Sequence, residues 1–322
     1  MKILVTGGAG FIGTALVKRL LKDGHHVRVL DDYSRGVPER LKSIAKEIET
    51  IQGDVRDFAQ VDAATKGIEL VYHLAAVNGT ENFYKQPDRV LEVAVKGTMH
   101  TMDAALKHGC RRYILASSSE VYQEPTHVPT KEDERIIVPD VKNPRFSYSG
   151  GKIIGELLAL HYLAKRGVEA VVFRPHNIYG PDMGHEHVVP QFFERLAPLR
   201  AQKKTGVLPF EIQGDGTETR SFCFIDDAVT GIVLVAEKGK SGELYHIGTE
   251  EEVSIRDVAL LMAKIMGLSI AIVPGKRVEG STPRRCPDIG KMRALGYNPS
   301  VDLKEGIKRT CEEEWKKFQK AS

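Results

Sequence analysis

Tyr148 and Lys152 stand four residues apart in YSGGK, about one helical turn, so a phenol and an ammonium share one face. A phenol with an ordinary pKa of about 10 is a poor base at neutral pH, but a neighbouring ammonium favours the phenolate. Tyr148 could then take a proton from a substrate hydroxyl as hydride leaves the same carbon. An ordinary amphipathic helix can carry the same pair, so the rest of the chain has to decide. The run Ser117-Ser118-Ser119-Glu120 follows a predicted strand, at the edge where ligands of open α/β sheets collect, and a hydroxyl there can steady the reacting oxygen.

A second group of residues points to a dinucleotide. Gly7, Gly10 and Gly13, with Phe11 and Ile12 between them, form G-x-x-G-x-x-G between a predicted strand and a predicted helix. Missing side chains there let backbone N–H groups meet a pyrophosphate at the helix N-terminus. Asp31 follows Gly13 by 18 residues, at the end of the next predicted strand, where a carboxylate accepts hydrogen bonds from ribose hydroxyls. It would repel a 2′-phosphate, which favours NAD over NADP. Arg35 could pair with such a phosphate, although a solvated loop arginine is the plainer reading.

The elements that must position these groups follow from periodicity. Short β-branched runs alternate with longer amphipathic stretches through the first 175 residues, the pattern of βαβ units in a doubly wound α/β fold of Rossmann type. Strands are expected at Lys2 to Thr6, His26 to Leu30, Glu69 to Leu74 and Arg112 to Ser117. Helices are expected at Phe11 to Asp23, about Asp88 to His108, and Ser147 to Arg166, with Gly24 and Gly109 ending the first two. Gln123 to Phe146, rich in Pro and charge, reads as a surface loop. Beyond residue 174 a helix is expected near Val189 to Lys203, and Ser221 to Lys238 with Glu243 to Ile247 read as a helix and buried strand returning to the first sheet. The expected division is a dinucleotide domain over 1–174, rejoined by 221–247, and a smaller C-terminal substrate-binding lobe from 175–220 and 248–322.

Bulk properties narrow the function further. No apolar run among the 322 residues approaches the roughly 18 needed to span a membrane, so no membrane partner is expected. The opening MKILVTGG enters a strand directly, and the four cysteines are scattered without CxxC spacing; a cytoplasmic protein with reduced thiols is expected. A net charge of +3 with interspersed signs argues against nucleic acid. His185, Glu186 and His187 supply only part of a coordination shell, so no metal is expected, and His73 reads as a packed or hydrogen-bonded residue.

The pieces TGGAGFIG, VLDDYSRG, GDVRD, YHLAA, ASSSEVY, YSGGK, RPHNIYGP, GDGTETRSFCFIDDA and RRCPDI together resemble the extended short-chain dehydrogenase/reductase family of nucleotide-sugar epimerases, dehydratases and decarboxylases, in its order and over essentially the whole length. The resemblance implies an NAD-dependent enzyme that oxidises a nucleotide sugar at C4 to a transient ketone. It implies that Asp54 and Val55 flank the adenine, that Ala75 lies along the cofactor, and that Lys152 also binds the nicotinamide ribose. Ser118, Tyr148 and Lys152 would form the catalytic triad, and Asn177, Arg220 and Arg285 would contact the diphosphate or nearby nucleotide. It also implies a homodimer through the helices near 88–108 and 147–166.

The step after the ketone stays open among epimerisation, 4,6-dehydration and decarboxylation. Glu120 in S-S-E-V-Y resembles the acid/base group that dehydratases and decarboxylases place near C5 or C6, and Pro144 and Arg145 ahead of the tyrosine resemble the decarboxylase and GDP-sugar dehydratase branches. Glu120 could instead hold a loop amide. Ala94 stands where many relatives have Asn, Gln123 where Gly is usual after the VY pair, and the Val77-Asn78-Gly79-Thr80 loop is unfamiliar, all of which weigh against the common galactose epimerase activity. The competing readings are an NAD(P)H-dependent ketoreductase of the same superfamily and a non-catalytic NAD-binding sensor or scaffold.

Overall fold

The computed structural model describes residues 1–185, 187–276 and 282–321. In β1 (Lys2–Thr6), Ile3 and Val5 enter the core on one face and Leu4 on the other, the two-residue period of a strand buried on both sides. α1 (Phe11–Lys22) turns Leu16, Val17 and Leu20 inward, and the chain leaves it through Gly24 at φ +80°. There follow β2 (His26–Asp31), β3 (Ile48–Gln52), α2 (Phe58–Thr65) and β4 (Leu70–His73). The Asp57 carboxylate caps α2 by accepting the N–H groups of Ala59 and Gln60. β3 was not expected: it is an edge strand whose residues are all half-buried or exposed, so IETIQ lacks an apolar stripe.

The expected helix near 88–108 is preceded by a short α3 (Thr80–Lys85). It then runs as α4 (Pro87–Leu91), a π-helical turn (Glu92–Gly97) and α5 (Thr98–Lys107). β5 (Arg112–Ala116) leads into a 3-10 turn at Ser119–Tyr122. α6 (Ser147–Leu157) likewise passes into a π-helical segment (Leu158–Leu163) before β6 (Glu169–Pro175). Next come β7 (Ile178–Tyr179), α7 (Val188–Ala201), β8 (Val207–Ile212), β9 (Thr219–Ser221), β10 (Cys223–Phe224), α8 (Ile225–Lys238) and β11 (Leu244–Ile247).

One seven-stranded parallel sheet results, in the order β11-β6-β5-β4-β1-β2-β3. This is the Rossmann-type fold expected. β1 connects toward β2 and β4 toward β5, so the strand order reverses between β1 and β4, and a crevice opens at their carboxyl ends. The remaining elements are β12 (Glu252–Ser254), α9 (Ile255–Ile265), β13 (Ser269–Pro274), β14 (Arg284–Arg285), α10 (Gly290–Ala294) and α11 (Leu303–Ala321). They build small sheets in which β9 lies between β12 and β14 and β13 pairs with β8. One face of the main sheet shares a continuous core with α1, α8 and this C-terminal part; the other packs beneath α2, α5 and the segment after α6. Among the described residues no helix is long and apolar enough to cross a membrane.

Candidate active site

A cleft of about 440 Å³ lies along the carboxyl ends of the sheet. Its first wall is the glycine turn. A Cβ at Gly13 would collide with the Gly7 carbonyl oxygen, and one at Gly7, whose φ is +70°, would lie 2.9 Å from the Ala75 nitrogen. Ala75, which the resemblance implies lies along the cofactor, thus packs against the turn. Gly10 caps α1 without a side-chain hydrogen bond, and the first turn carries no acidic residue, so the helix N-terminus beside Phe11, Ile12 and Gly13 faces the cleft uncovered. A helix terminus of this kind can receive a diphosphate.

At the end of β2, Asp31 accepts the Ala9 N–H on one carboxylate oxygen and the Tyr33 N–H on the other, each at 2.9 Å. Each oxygen keeps a lone pair for a ribose hydroxyl. Burial raises its pKa, partly offset by those amides. Asp54 and Val55 also line the cleft; Asp54 is paired with Arg56 at 2.7 Å, and Gly97 lets the π-helical turn approach Val55 closely. Glycine cradle, bare helix end and buried carboxylate together fit a dinucleotide such as NAD.

At the opposite end, α6 presents Tyr148 and Lys152, both less than a tenth exposed. Lys152 Nζ donates to the Ala116 carbonyl at 2.7 Å and sits 5.7 Å from the Tyr148 ring centre. Burial lowers the Lys152 pKa to about 8 and pushes the Tyr148 phenol up to about 12, with the Ser118 hydroxyl pulling the latter down. Ser118 also accepts the Glu120 N–H at 3.1 Å, which shapes the 3-10 turn. Ala94 packs on α6: a Cβ at Gly151 would lie 2.6 Å from the Ala94 Cβ. Gln123, at φ +53°, turns its side-chain amide back to the Glu120 carbonyl. Ala94 therefore has a packing role and Gln123 a hydrogen-bonding one.

Residues separated in sequence meet around Glu120. Arg285, on β14, ion-pairs with Glu120 at 2.6 Å, and the guanidinium holds the carboxylate below its ordinary pKa against the opposing effect of burial. Arg145 and Arg220 act on it in the same direction. Arg285 is in register with Arg220 on β9; Arg220 donates to the Thr219 carbonyl, and burial and Arg285 bring its pKa down to about 10. Asn177, at φ +41°, lines the cleft and donates to the Ser221 carbonyl at 2.9 Å. The sequence suggested Glu120 and Arg285 for separate tasks and gave no sign of their pairing. Phe83, stacked on Tyr148, was missed altogether, because two adjacent aromatics in a six-residue helix show no period.

His73 is buried between the Thr6 and Thr98 hydroxyls, at 2.8 and 3.1 Å, and burial lowers its pKa to about 3, in keeping with a structural group. His185 pairs with Glu194, His187 lines the cleft, and Glu186 lies outside the described residues. Among the described residues no group of three or more His, Cys, Asp or Glu could hold a metal ion.

Residues 3–248 match the NAD dependent epimerase/dehydratase family. The chain is 32% identical to a UDP-N-acetyl-alpha-D-glucosaminuronate decarboxylase of Bacillus cytotoxicus, over 97% of each chain. It is 33% identical to a UDP-glucose 4-epimerase of Mycolicibacterium smegmatis, over 97% of this chain and 98% of the other. Among solved structures it resembles the dTDP-glucose 4,6-dehydratase DesIV of Streptomyces venezuelae with NAD and TYD bound, with a TM-score of 0.86 at 29% identity, covering 100% of this chain and 98% of the other.

Proposed function

The chain belongs to the NAD-dependent epimerase/dehydratase family of nucleotide-sugar enzymes, and on that premise we propose that it oxidises a nucleotide-linked uronic acid at C4 and then releases its C6 carboxylate as carbon dioxide. Bound NAD would take hydride from C4 and later return it. Tyr148 takes the proton of the C4 hydroxyl, Ser118 steadies that oxygen, and Lys152 favours the phenolate and holds the nicotinamide ribose. Gly7, Gly10, Phe11, Ile12 and Gly13 receive the cofactor diphosphate, Asp31 its adenosine ribose, Asp54 and Val55 its adenine, with Ala75 along its length. Asn177 and Arg220 serve the substrate diphosphate.

One observation carries the choice of reaction. Among the described residues lining the cleft, the acids are Asp31, Asp32, Asp54 and Glu120. The first three stand at the β2 and β3 ends; Glu120, paired with Arg285, is the carboxylate beside Tyr148. Elimination of water across C5 and C6 needs a base for the C5 proton and an acid for the departing hydroxyl. A 4-keto uronic acid is already a β-keto acid: its C5–C6 bond breaks with the electron pair flowing into the C4 carbonyl, and only C5 must then be protonated. Arg285, with Arg145 nearby, supplies positive charge for the substrate carboxylate, and Glu120 orients that guanidinium. Simple inversion at C4 uses none of these groups.

The test is incubation of the protein, without added reductant, with UDP-glucuronic acid, UDP-N-acetylglucosaminuronic acid, UDP-glucose and dTDP-glucose, followed by mass spectrometry. Loss of carbon dioxide from a uronic acid supports the reading. Loss of water from a hexose, or an isomer of unchanged mass, replaces it with dehydration or epimerisation. Net consumption of NADPH indicates a ketoreductase, against which Asp31 stands.

A homodimer through α4 and α6 is part of the same proposal, supported by the exposed Leu91, Ile154 and Leu157 on these helices. Leu157→Glu should shift the mass in solution from dimer to monomer. Four unpaired buried thiols, Cys110, Cys223, Cys286 and Cys311, fit a reducing compartment such as the cytoplasm.

A further inference from the structure

The Phe83 ring lies 5.1 Å from that of Tyr148, centre to centre, with 17° between their planes. Both are less than a tenth exposed. The segment carrying Phe83 is anchored by side-chain amides spaced one helical turn apart. Gly79, at φ +108°, donates to Asn78 Oδ1 at 2.8 Å, Asn82 donates to the Asn78 carbonyl at 2.8 Å, and Gln86 donates to Asn82 Oδ1 at 2.9 Å. Arg89 continues the series, donating to Gln86 Oε1 and pairing with Asp32 at 3.3 Å beside the end of β2. The unfamiliar 77–80 loop thus begins a ladder that fixes the aromatic ring against the phenol.

We infer that Phe83 is a positioning residue, whose stacked ring sets the plane of the Tyr148 phenol and keeps water from one of its faces. The inference rests on Tyr148 being the base. Without the ring, the broad torsion about the bond joining a phenol to its side chain is less restrained, and the hydroxyl spends less time aligned with Ser118. Water reaching the open face also makes the phenolate easier to form. Glu120 on the turn after β5 and Arg35 on the loop after β2 are the charges acting on the phenol, and Lys152 Nζ on its own helix lies 5.7 Å from the ring centre; none belongs to the segment bearing Phe83.

The experiment is an NMR titration of the full-length protein carrying ring-labelled tyrosine, with the Tyr148 resonance assigned by its absence in Tyr148→Phe. It is paired with single-turnover oxidation of UDP-glucuronic acid. In the parent protein Tyr148 should stay protonated to at least about pH 10, and Phe83→Ala should lower its midpoint by about one unit. Compared at equal fractions of Tyr148 phenolate, the same variant should slow oxidation about tenfold with the substrate's apparent Kd within about twofold, and Phe83→Tyr should restore both the midpoint and the rate. Asn82→Ala should reproduce the change in weaker form. If Phe83→Ala does not fold, Phe83→Leu keeps most of the apolar volume without the ring and should show the same two shifts. A folded Phe83→Ala with unchanged titration and rate overturns the inference, as does Phe83→Leu behaving like the parent. Oxidation that survives Tyr148→Phe overturns the functional reading instead, while the titration still measures the stacking.

Discussion

The two ends of the cleft are built by opposite means. The cofactor end is made by backbone: three glycines within seven residues, an uncapped helix terminus and one carboxylate holding two amides. The reacting end is made by side chains from distant segments, with Glu120 and Arg285 separated by 165 positions and Phe83 and Tyr148 by 65. Backbone recognition tolerates no bulk but asks little of side-chain identity. Side-chain recognition sets the chemistry and can change one residue at a time, which fits one shared fold among relatives named as decarboxylase, epimerase and dehydratase.

If that contrast holds, the largest loss comes from Tyr148→Phe, which should reduce C4 oxidation about 10²- to 10⁴-fold while leaving bound NAD in place, read by single-turnover kinetics and cofactor content. Gly13→Ala should act on cofactor binding instead, and lose oxidation only through it. Its Cβ meets the Gly7 carbonyl oxygen, a rigid neighbour, so the protein should lose NAD and about 1–3 kcal/mol of stability, seen in cofactor content and in denaturant unfolding. Asp31→Ala should weaken NAD binding about tenfold and narrow its advantage over NADP, measured by calorimetry.

The ion pair at the reacting end should show in the pH dependence of stability. Arg285 holds the Glu120 carboxylate below its ordinary range, so the folded protein binds that proton less readily than the unfolded chain. The contribution is therefore fully present above the unfolded carboxyl value of about 4.3 and lost as pH falls through the lower folded value. Arg285→Ala should flatten this acid limb in thermal melts; an unchanged limb would mean the pair is not formed in solution. The smallest effect belongs to pairs outside the cleft. Arg19→Ala breaks the one-turn surface pair with Asp23 and should leave both melting temperature and activity within experimental error.

Much of the fold was legible because its signals are local. A strand buried on both faces must be apolar and β-branched, and an amphipathic helix must repeat near every third and fourth residue, so β1, α1, β2, β4, β5 and α6 stand out within windows of about a dozen residues. β3 escaped because an edge strand that buries little has no need of an apolar stripe. The π-helical turns escaped because one inserted residue barely disturbs a helical period, although it shifts the phase of the residues that follow.

The sequence by itself determined the dinucleotide turn, the carboxylate after β2 and the Tyr148–Lys152 face, since each depends on spacing within one strand, turn or helix. Only the tertiary structure decided that Arg285 grips Glu120, that Ala94 closes on Gly151 and that Phe83 roofs Tyr148. Those contacts depend on how β14, the π-helical turn and α3 pack against the sheet. Packing follows from the sum of many weak interactions across the whole core, and no short window of residues contains that sum.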